Sequence, residues 1–212
     1  MARAASRTGS HPGGLAPSAA SGAPSRAPAP ADSGRVRVWD AAVRLLHWSL
    51  AALVVVNLVR DDGDWLHRCL GYVALGVVAA RLLWAALRGG TAGFAELKPS
   101  VRGTLAYVAA AWRGSAPRHL GHNPLGRWMV WLLWTLVMLL ALTGWISRTD
   151  ALWGEDWPID LHGWLADALW ISVVLHLAGM ALTSVLQREN LPLAMLTGRK
   201  RAPRGEGGTE AP

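Results

Sequence analysis

Four long apolar stretches alternate with polar segments along the chain. They cover residues 40–59, 66–87, 128–147 and 161–186. Each has about the 20 apolar residues that a helix needs to cross the hydrocarbon core of a bilayer. Asp40 precedes the first stretch and is a good helix cap. The pattern therefore predicts an all-α integral membrane protein, built as a bundle of four transmembrane helices.

The segment between the second and third stretches is polar and basic. Within it, residues 99–112, PSVRGTLAYVAAAW, are moderately amphipathic but too short to span. A proline at the start suits helix initiation. We expect a short helix lying along the membrane surface.

The two ends of the chain differ in composition from this central part. Residues 1–34 are rich in Ala, Pro, Ser and Gly without an apolar run, which predicts a disordered tail and argues against a signal peptide. Residues 202–212 form a second predicted disordered tail. The membrane domain is expected to extend over residues 35–201.

Lysine and arginine lie on one side of the predicted bundle. Three segments carry almost all of those outside the helices: Arg3, Arg7, Arg26, Arg35, Arg37, Arg44; Arg88, Lys98, Arg102, Arg113, Arg118, Arg127; Arg188, Arg199, Lys200, Arg201, Arg204. Since cytoplasmic loops are enriched in these residues, both termini and the middle loop are predicted to be cytoplasmic. The net charge of +7 thus reflects the excess of Lys and Arg on the predicted cytoplasmic side, and nucleic acid is not an expected partner.

The opposite side is acidic. Seven carboxylates lie in its two loops: Asp61, Asp62, Asp64, Asp150, Glu155, Asp156 and Asp160. Such a surface could steer a basic soluble partner, although acids flanking helices are also ordinary solvation.

The fourth stretch carries two histidines in an apolar run. His162 and His176 are 14 residues apart, about 21 Å of helical rise and roughly 40° short of whole turns. Both therefore lie on nearly the same face. Ionisable side chains inside a bilayer are energetically unfavourable, so two histidines on one face of this helix indicate a bound group in the interior.

Two further histidines match these in depth. His67 opens the second helix at the same side as His162, which makes an outer pair. His47 is about 10 Å into the first helix, and His176 is about 18 Å from Arg188. These two form an inner pair if tilt or a longer fourth helix absorbs the difference. Imidazoles facing each other can supply both axial ligands of a haem.

Other uses of these side chains remain open. A single membrane histidine can be an interhelical hydrogen bonder or a proton relay. Zinc fits less well, because the pairs are separated by depth and lack a thiol or carboxylate. The single Cys69 excludes an intrachain disulfide, a four-cysteine cluster and covalent haem attachment. Arg81 and Arg148 are candidates for neutralising haem propionates, or they mark the interfaces.

Several motifs in order carry a family resemblance. They are VWDAAVRLLHW, LHRCLGYVALGVVAARLLW, GHNPLGRWMV, LHGWLADALWISVVLHLAG and QRENLPLAMLTGRKR. Together they resemble the bacterial di-haem cytochrome b family, which is of the cytochrome b561 type and includes membrane subunits of nickel–iron hydrogenases. The resemblance covers about residues 35–201.

The resemblance implies two noncovalent b-type haems, one held by His47 with His176 and one by His67 with His162. It further implies electron transfer in the bacterial inner membrane between the quinone pool and a periplasmic partner, hydrogenase-like or a cytochrome c. Two alternatives stay open: a stand-alone quinone-linked oxidoreductase acting on a species such as superoxide, and a haem-free proton or metal transporter or assembly subunit.

Overall fold

Four long helices dominate the computed structural model, which describes residues 34–60 and 62–202. They are α1 (Ala41–Val59), α2 (Trp65–Leu87), α5 (Pro124–Ile146) and α6 (Trp157–Leu186). Their most apolar windows have a mean hydropathy of 1.8 to 2.0, yet only 11 to 22 % of each window is buried. An apolar surface that the protein does not cover itself requires lipid. The predicted four-helix membrane fold is confirmed.

The helix starts show how local sequence sets the boundaries. Asp40 caps α1 as predicted, its carboxylate accepting from the Val43 N–H at 2.7 Å. Two helices begin about four residues earlier than predicted. The prediction began each helix at its apolar stretch, whereas the first turns also include polar caps and prolines. Asn123 caps α5 ahead of Pro124, and α6 has Pro158 in its first turn.

The bundle core lies where α2, α5 and α6 meet. Val78 is fully buried there, beside Trp134 of α5 and Leu169 of α6. α1 packs on α2, α2 on α5, and α5 on α6. Polar atoms are scarce in these contacts, so the packing of apolar side chains and of small residues holds the helices together.

The middle loop contains two short helices, α3 (Phe94–Leu97) and α4 (Val101–Trp112). The predicted short helix is present as α4, and Ser100 is its N-cap. Val101, Leu105 and Trp112 form an apolar stripe that is 63, 66 and 92 % exposed. A stripe of this kind is what the predicted position along the membrane surface requires.

A two-stranded clasp, which the sequence pattern did not predict, joins the two ends of the described chain. Strand β1 (Arg35–Arg37) pairs antiparallel with β2 (Arg199–Arg201), and Val36 lies opposite Lys200. Helix α7 (Leu191–Thr197) leads into β2. Both ends therefore lie at one end of the bundle together with α3 and α4. We call this the basic end, and the other the acidic end.

The predicted disordered tails fall on residues 1–33 and 203–212 and lie outside the described residues, as does Asp61. The remaining tail positions, Gly34 and Ala202, hydrogen-bond to each other across the clasp, since the Ala202 N–H reaches the Gly34 carbonyl at 2.6 Å.

Glu189 ties the clasp to the middle loop. Its side chain is 8 % exposed and accepts from Arg118 Nη2 at 2.8 Å. The same carboxylate accepts from the Arg201 N–H at 2.8 Å. Charge-assisted hydrogen bonds of this kind are stronger than neutral ones, so Glu189 holds β2 against the loop.

We expect Glu189→Gln to loosen the clasp, because the amide keeps the shape but removes the charge that Arg118 and the Arg201 N–H bind. Trypsin should then cut after Arg199 and Lys200 several times faster in detergent-solubilised protein. Asp62→Asn, which breaks an exposed ion pair with Arg60 at the acidic end, is the control and should leave that rate unchanged. Equal cleavage of both variants and the wild type would show that the pair does not restrain β2.

Candidate functional site

The outer histidine pair lies at the acidic end, between α2 and α6. His67 is in the first turn of α2 and His162 in the second turn of α6. Their ring centres are 6.1 Å apart, with the ring planes at 64°. The structure therefore brings together the two residues that the sequence places at equal depth.

The orientation of His67 leaves one ring nitrogen free to bind a ligand. Its Nδ1 lies 2.6 Å from the Arg60 carbonyl oxygen, which can only accept. Nδ1 therefore carries the hydrogen, and Nε2 keeps its lone pair. The Asp64 carboxylate caps the same turn by accepting from the His67 N–H at 2.7 Å. These two hydrogen bonds fix the orientation of the imidazole ring and of the backbone at His67.

His162 is oriented by Thr143 of α5. The Thr143 hydroxyl donates to the Leu139 carbonyl at 2.9 Å, so its single hydrogen is used there. Its oxygen lies 2.9 Å from His162 Nδ1 and must accept from it. Nε2 of His162 is again the nitrogen with the lone pair. Gly144 makes room for this ring, because a Cβ on it would lie 3.2 Å from His162 Cε1.

A cavity of ≈ 380 Å³ opens beside the outer pair. Its size is within the range of cofactor sites. Its lining is mostly apolar and includes four glycines: Gly63, Gly71, Gly144 and Gly163. The space beside Gly63 and Gly163 is open, whereas Asn57 and His162 fill the space beside the other two. A flat macrocycle suits such a lining.

The inner pair lies deeper, between α1 and α6. The ring centres of His47 and His176 are 6.4 Å apart, with the planes at 57°. Trp48 meets His47 edge-on at 5.4 Å. Within the described part of the chain the ring nitrogens of this pair form no hydrogen bond, in contrast to the outer pair. The two rings therefore meet in spite of the mismatch in depth that the sequence left open.

The spacing of both pairs fits a shared metal. A metal–imidazole bond is about 2 Å long and the ring centre lies about 1.2 Å behind the nitrogen, so two imidazoles that bind one metal from opposite sides would place their ring centres about 6.4 Å apart. The observed 6.1 and 6.4 Å agree with this. No three His, Cys, Asp or Glu side chains of the described residues converge on one point. Pairwise axial ligation is the arrangement that these residues offer.

The two arginines predicted near the cofactors have different surroundings. Arg148 is exposed, donates to the Gly63 carbonyl at 3.1 Å and lines the outer cavity. Arg81 is only 6 % exposed. It donates to the Ala92 carbonyl at 3.1 Å and lies over the Trp134 ring at 5.6 Å.

Three site residues were not predicted from the sequence. Asn57 places its amide against α2. With the amide nitrogen turned toward His67, it donates to the His67 carbonyl at 3.2 Å and accepts from the Gly71 N–H at 3.0 Å. Thr143 and Gly144 serve His162. The sequence did contain a signal for Thr143 and Gly144. They are adjacent small residues in a helix of mostly bulky apolar side chains, at the same depth as His162 on the following helix.

We expect Thr143→Val to weaken ligand binding at the outer pair by roughly 10- to 100-fold, because His162 loses the acceptor that fixes its tautomer. Thr183→Val is the matched control, since the Thr183 hydroxyl bonds only to the Gly179 carbonyl of its own helix. Titrating haem into haem-depleted protein and following each absorption component measures the effect. Unchanged affinity in Thr143→Val would show that the hydroxyl does not orient the ligand.

A family model described as prokaryotic cytochrome b561 matches residues 38–198, which is most of the chain. No curated protein and no solved structure matches the chain significantly. The family match confirms the resemblance inferred from the motifs. This family binds haem b, and with four apolar helices the protein is a multi-pass membrane protein. The chain belongs to the prokaryotic cytochrome b561 family.

Proposed function

We propose that this protein carries electrons across the bacterial inner membrane through two bis-histidine b-type haems. His67 and His162 ligate the outer one, and His47 and His176 the inner one. The observation that carries the proposal is the pair of facing imidazoles at two depths, with ring centres at 6.1 and 6.4 Å. A single haem site would exchange electrons at one face of the membrane only, whereas two sites at different depths connect the two faces.

The chain's own residues determine what the sites can do. Each pair of facing imidazoles would hold a haem iron from both sides and leave no open coordination position for oxygen. Haem b, when bound, supplies a one-electron couple. Leu169 is buried between the two histidines of α6, and Val173 packs against the same core. These apolar side chains keep water out of the path, which at about 21 Å of helical rise extends through most of the hydrocarbon core.

The two ends of the bundle suit different exchange partners. At the acidic end Asp150, Glu155 and Asp156 are exposed, and in the described part of the chain none of them forms an ion pair. A negative surface next to the outer site favours a basic periplasmic redox protein or enzyme subunit. The quinone pool, dissolved in the bilayer, is the proposed second partner.

We expect purified protein to contain two b-type haems per chain, and His67→Ala and His176→Ala each to retain one. The two variants should lose different spectral components, because each removes an axial ligand of a different pair. A pyridine haemochrome assay and a reduced-minus-oxidised spectrum provide the measurement. His119→Ala, at a loop histidine, is the control and should retain both haems.

Absence of b-type haem from the wild type would overturn the proposed function. Loss of the same component in His67→Ala and in His176→Ala would overturn the assignment of the pairs.

We expect neutralising Asp150, Glu155 and Asp156 together to slow electron exchange with a basic electron carrier, with cytochrome c as the probe. The second-order rate constant at low ionic strength should fall by about tenfold, because steering falls with surface charge. At about 1 M salt the wild type and the variant should react equally, since screening removes the attraction. A rate that depends on salt in the same way in both proteins would place the docking surface elsewhere.

A further inference from the structure

Three basic side chains come together at the basic end, beyond the inner histidine pair. Arg81 of α2 and Lys200 of β2 are 6 and 5 % exposed. His122, just before α5, has an Nδ1 that is enclosed and has no hydrogen-bond partner. Trp39 lies beside two of them, with its ring 4.8 Å from the His122 ring and 5.9 Å from Lys200 Nζ. Arg81 is connected to His122 through electrostatic repulsion. We call these three residues the basic cluster.

Within the described residues, Arg81 and Lys200 form no direct ion pair, although Asp40 attracts Arg81 and both Glu189 and Glu96 attract Lys200 from a longer distance. Arg81 donates to the Ala92 carbonyl at 3.1 Å, and Lys200 to the Gly121 carbonyl at 3.4 Å. Among residues 34–60 and 62–202, neither has a carboxylate oxygen within 4.0 Å. A buried charge without a counter-ion is strongly unfavourable.

The nearby acids are engaged elsewhere. Glu96 pairs with Arg127 at 3.4 Å, and Glu189 pairs with Arg118. The Asp40 carboxylate caps α1 and accepts from Trp84 Nε1 at 3.1 Å. Among the described residues, therefore, no carboxylate pairs directly with the basic cluster.

Helical spacing places Arg81 at the depth of the inner site. It follows His67 by 14 residues on α2, as His176 follows His162 on α6, and both helices run from the acidic to the basic end. The buried residues of α2 are Ala74, Val78, Arg81 and Ala85, one stripe facing the bundle interior. Arg81 therefore faces inward at about the level of His176.

Electrostatics agree with this placement. Burial, followed by repulsion from Lys200, Arg81, Arg127 and His47, lowers the pKa of His122 to about 3. His122 is therefore neutral at physiological pH and offers a hydrogen bond without adding another charge. Its interaction with His47 places the cluster within electrostatic reach of the inner pair.

We propose that Arg81, Lys200 and His122 form a carboxylate-binding site for a propionate of the haem held by His47 and His176; this rests on the proposed function. The guanidinium can bind a carboxylate through two parallel hydrogen bonds, and the ammonium adds a point charge. Arg81 faces the bundle interior at about the level of His176, which is the side from which a propionate of the inner haem would approach. Because Lys200 belongs to β2, its binding to the propionate would connect the clasp to the cofactor.

The first test compares Arg81→Gln and Lys200→Gln with Arg88→Gln in the full chain. Arg88 is exposed at the end of the same helix, stacked on Trp84 at 4.7 Å, and is the matched control. The first two substitutions should disfavour reduction of the inner haem by about tenfold, which is about 59 mV for a one-electron couple. The outer haem should keep its potential, which also reports correct folding, and Arg88→Gln should shift neither.

The second test separates propionate binding from a general effect of charge. Haem-depleted His67→Ala protein, which keeps only the inner site, is titrated with protohaem and with its dimethyl ester, whose propionates are neutral. Protohaem should bind about tenfold more tightly than the ester, and Arg81→Gln with Lys200→Gln should bring this ratio close to one.

A ratio that the double substitution leaves unchanged would overturn the propionate site, even with two haems bound. A wild-type protein without haem would instead overturn the proposed function itself, so the two failures are distinguishable.

Discussion

An ionisable side chain in hydrocarbon is stable only with a partner, and this requirement organises the bundle. Each histidine of α6 faces a histidine of another helix, and no water is available to take the place of that partner. The helix thereby contributes one wall to each site, which explains why it is the longest of the four. The remaining apolar surface is turned outward and is covered by lipid.

The two sites are supported in different ways. At the acidic end the imidazoles are oriented by short hydrogen bonds that they donate to the Arg60 carbonyl and the Thr143 hydroxyl oxygen, and Asn57 fixes the backbone of α2 next to His67. At the basic end the rings form no such bonds in the described chain. There the supporting groups are charged: the clasp, its ion pair through Glu189, and the basic cluster behind the inner pair. The outer site is thus preorganised by neutral groups, and the inner site lies in a positive environment.

That asymmetry has a consequence for electron transfer. A positive environment stabilises the reduced form of a haem, whereas exposed acids near the outer site act in the opposite direction. With the proposed ligation, the field of the protein favours the electron at the inner site. The clasp, formed from the two ends of the described chain, then belongs to the electron-transfer machinery as well as to the fold.

Hydropathy and spacing in the sequence determined the four helices, the bias of positive charge and the sorting of four histidines by depth. These follow from the chain alone, because membrane thickness and helical rise convert residue number into depth. The depth of a residue in the membrane does not determine which side chains of neighbouring helices it contacts. Only the tertiary structure decided that Thr143 orients His162, that Asn57 binds the α2 backbone, that Arg81 is buried, and that Lys200 joins it from the far end of the chain. Such contacts link distant positions through packing, and local periodicity carries no record of them.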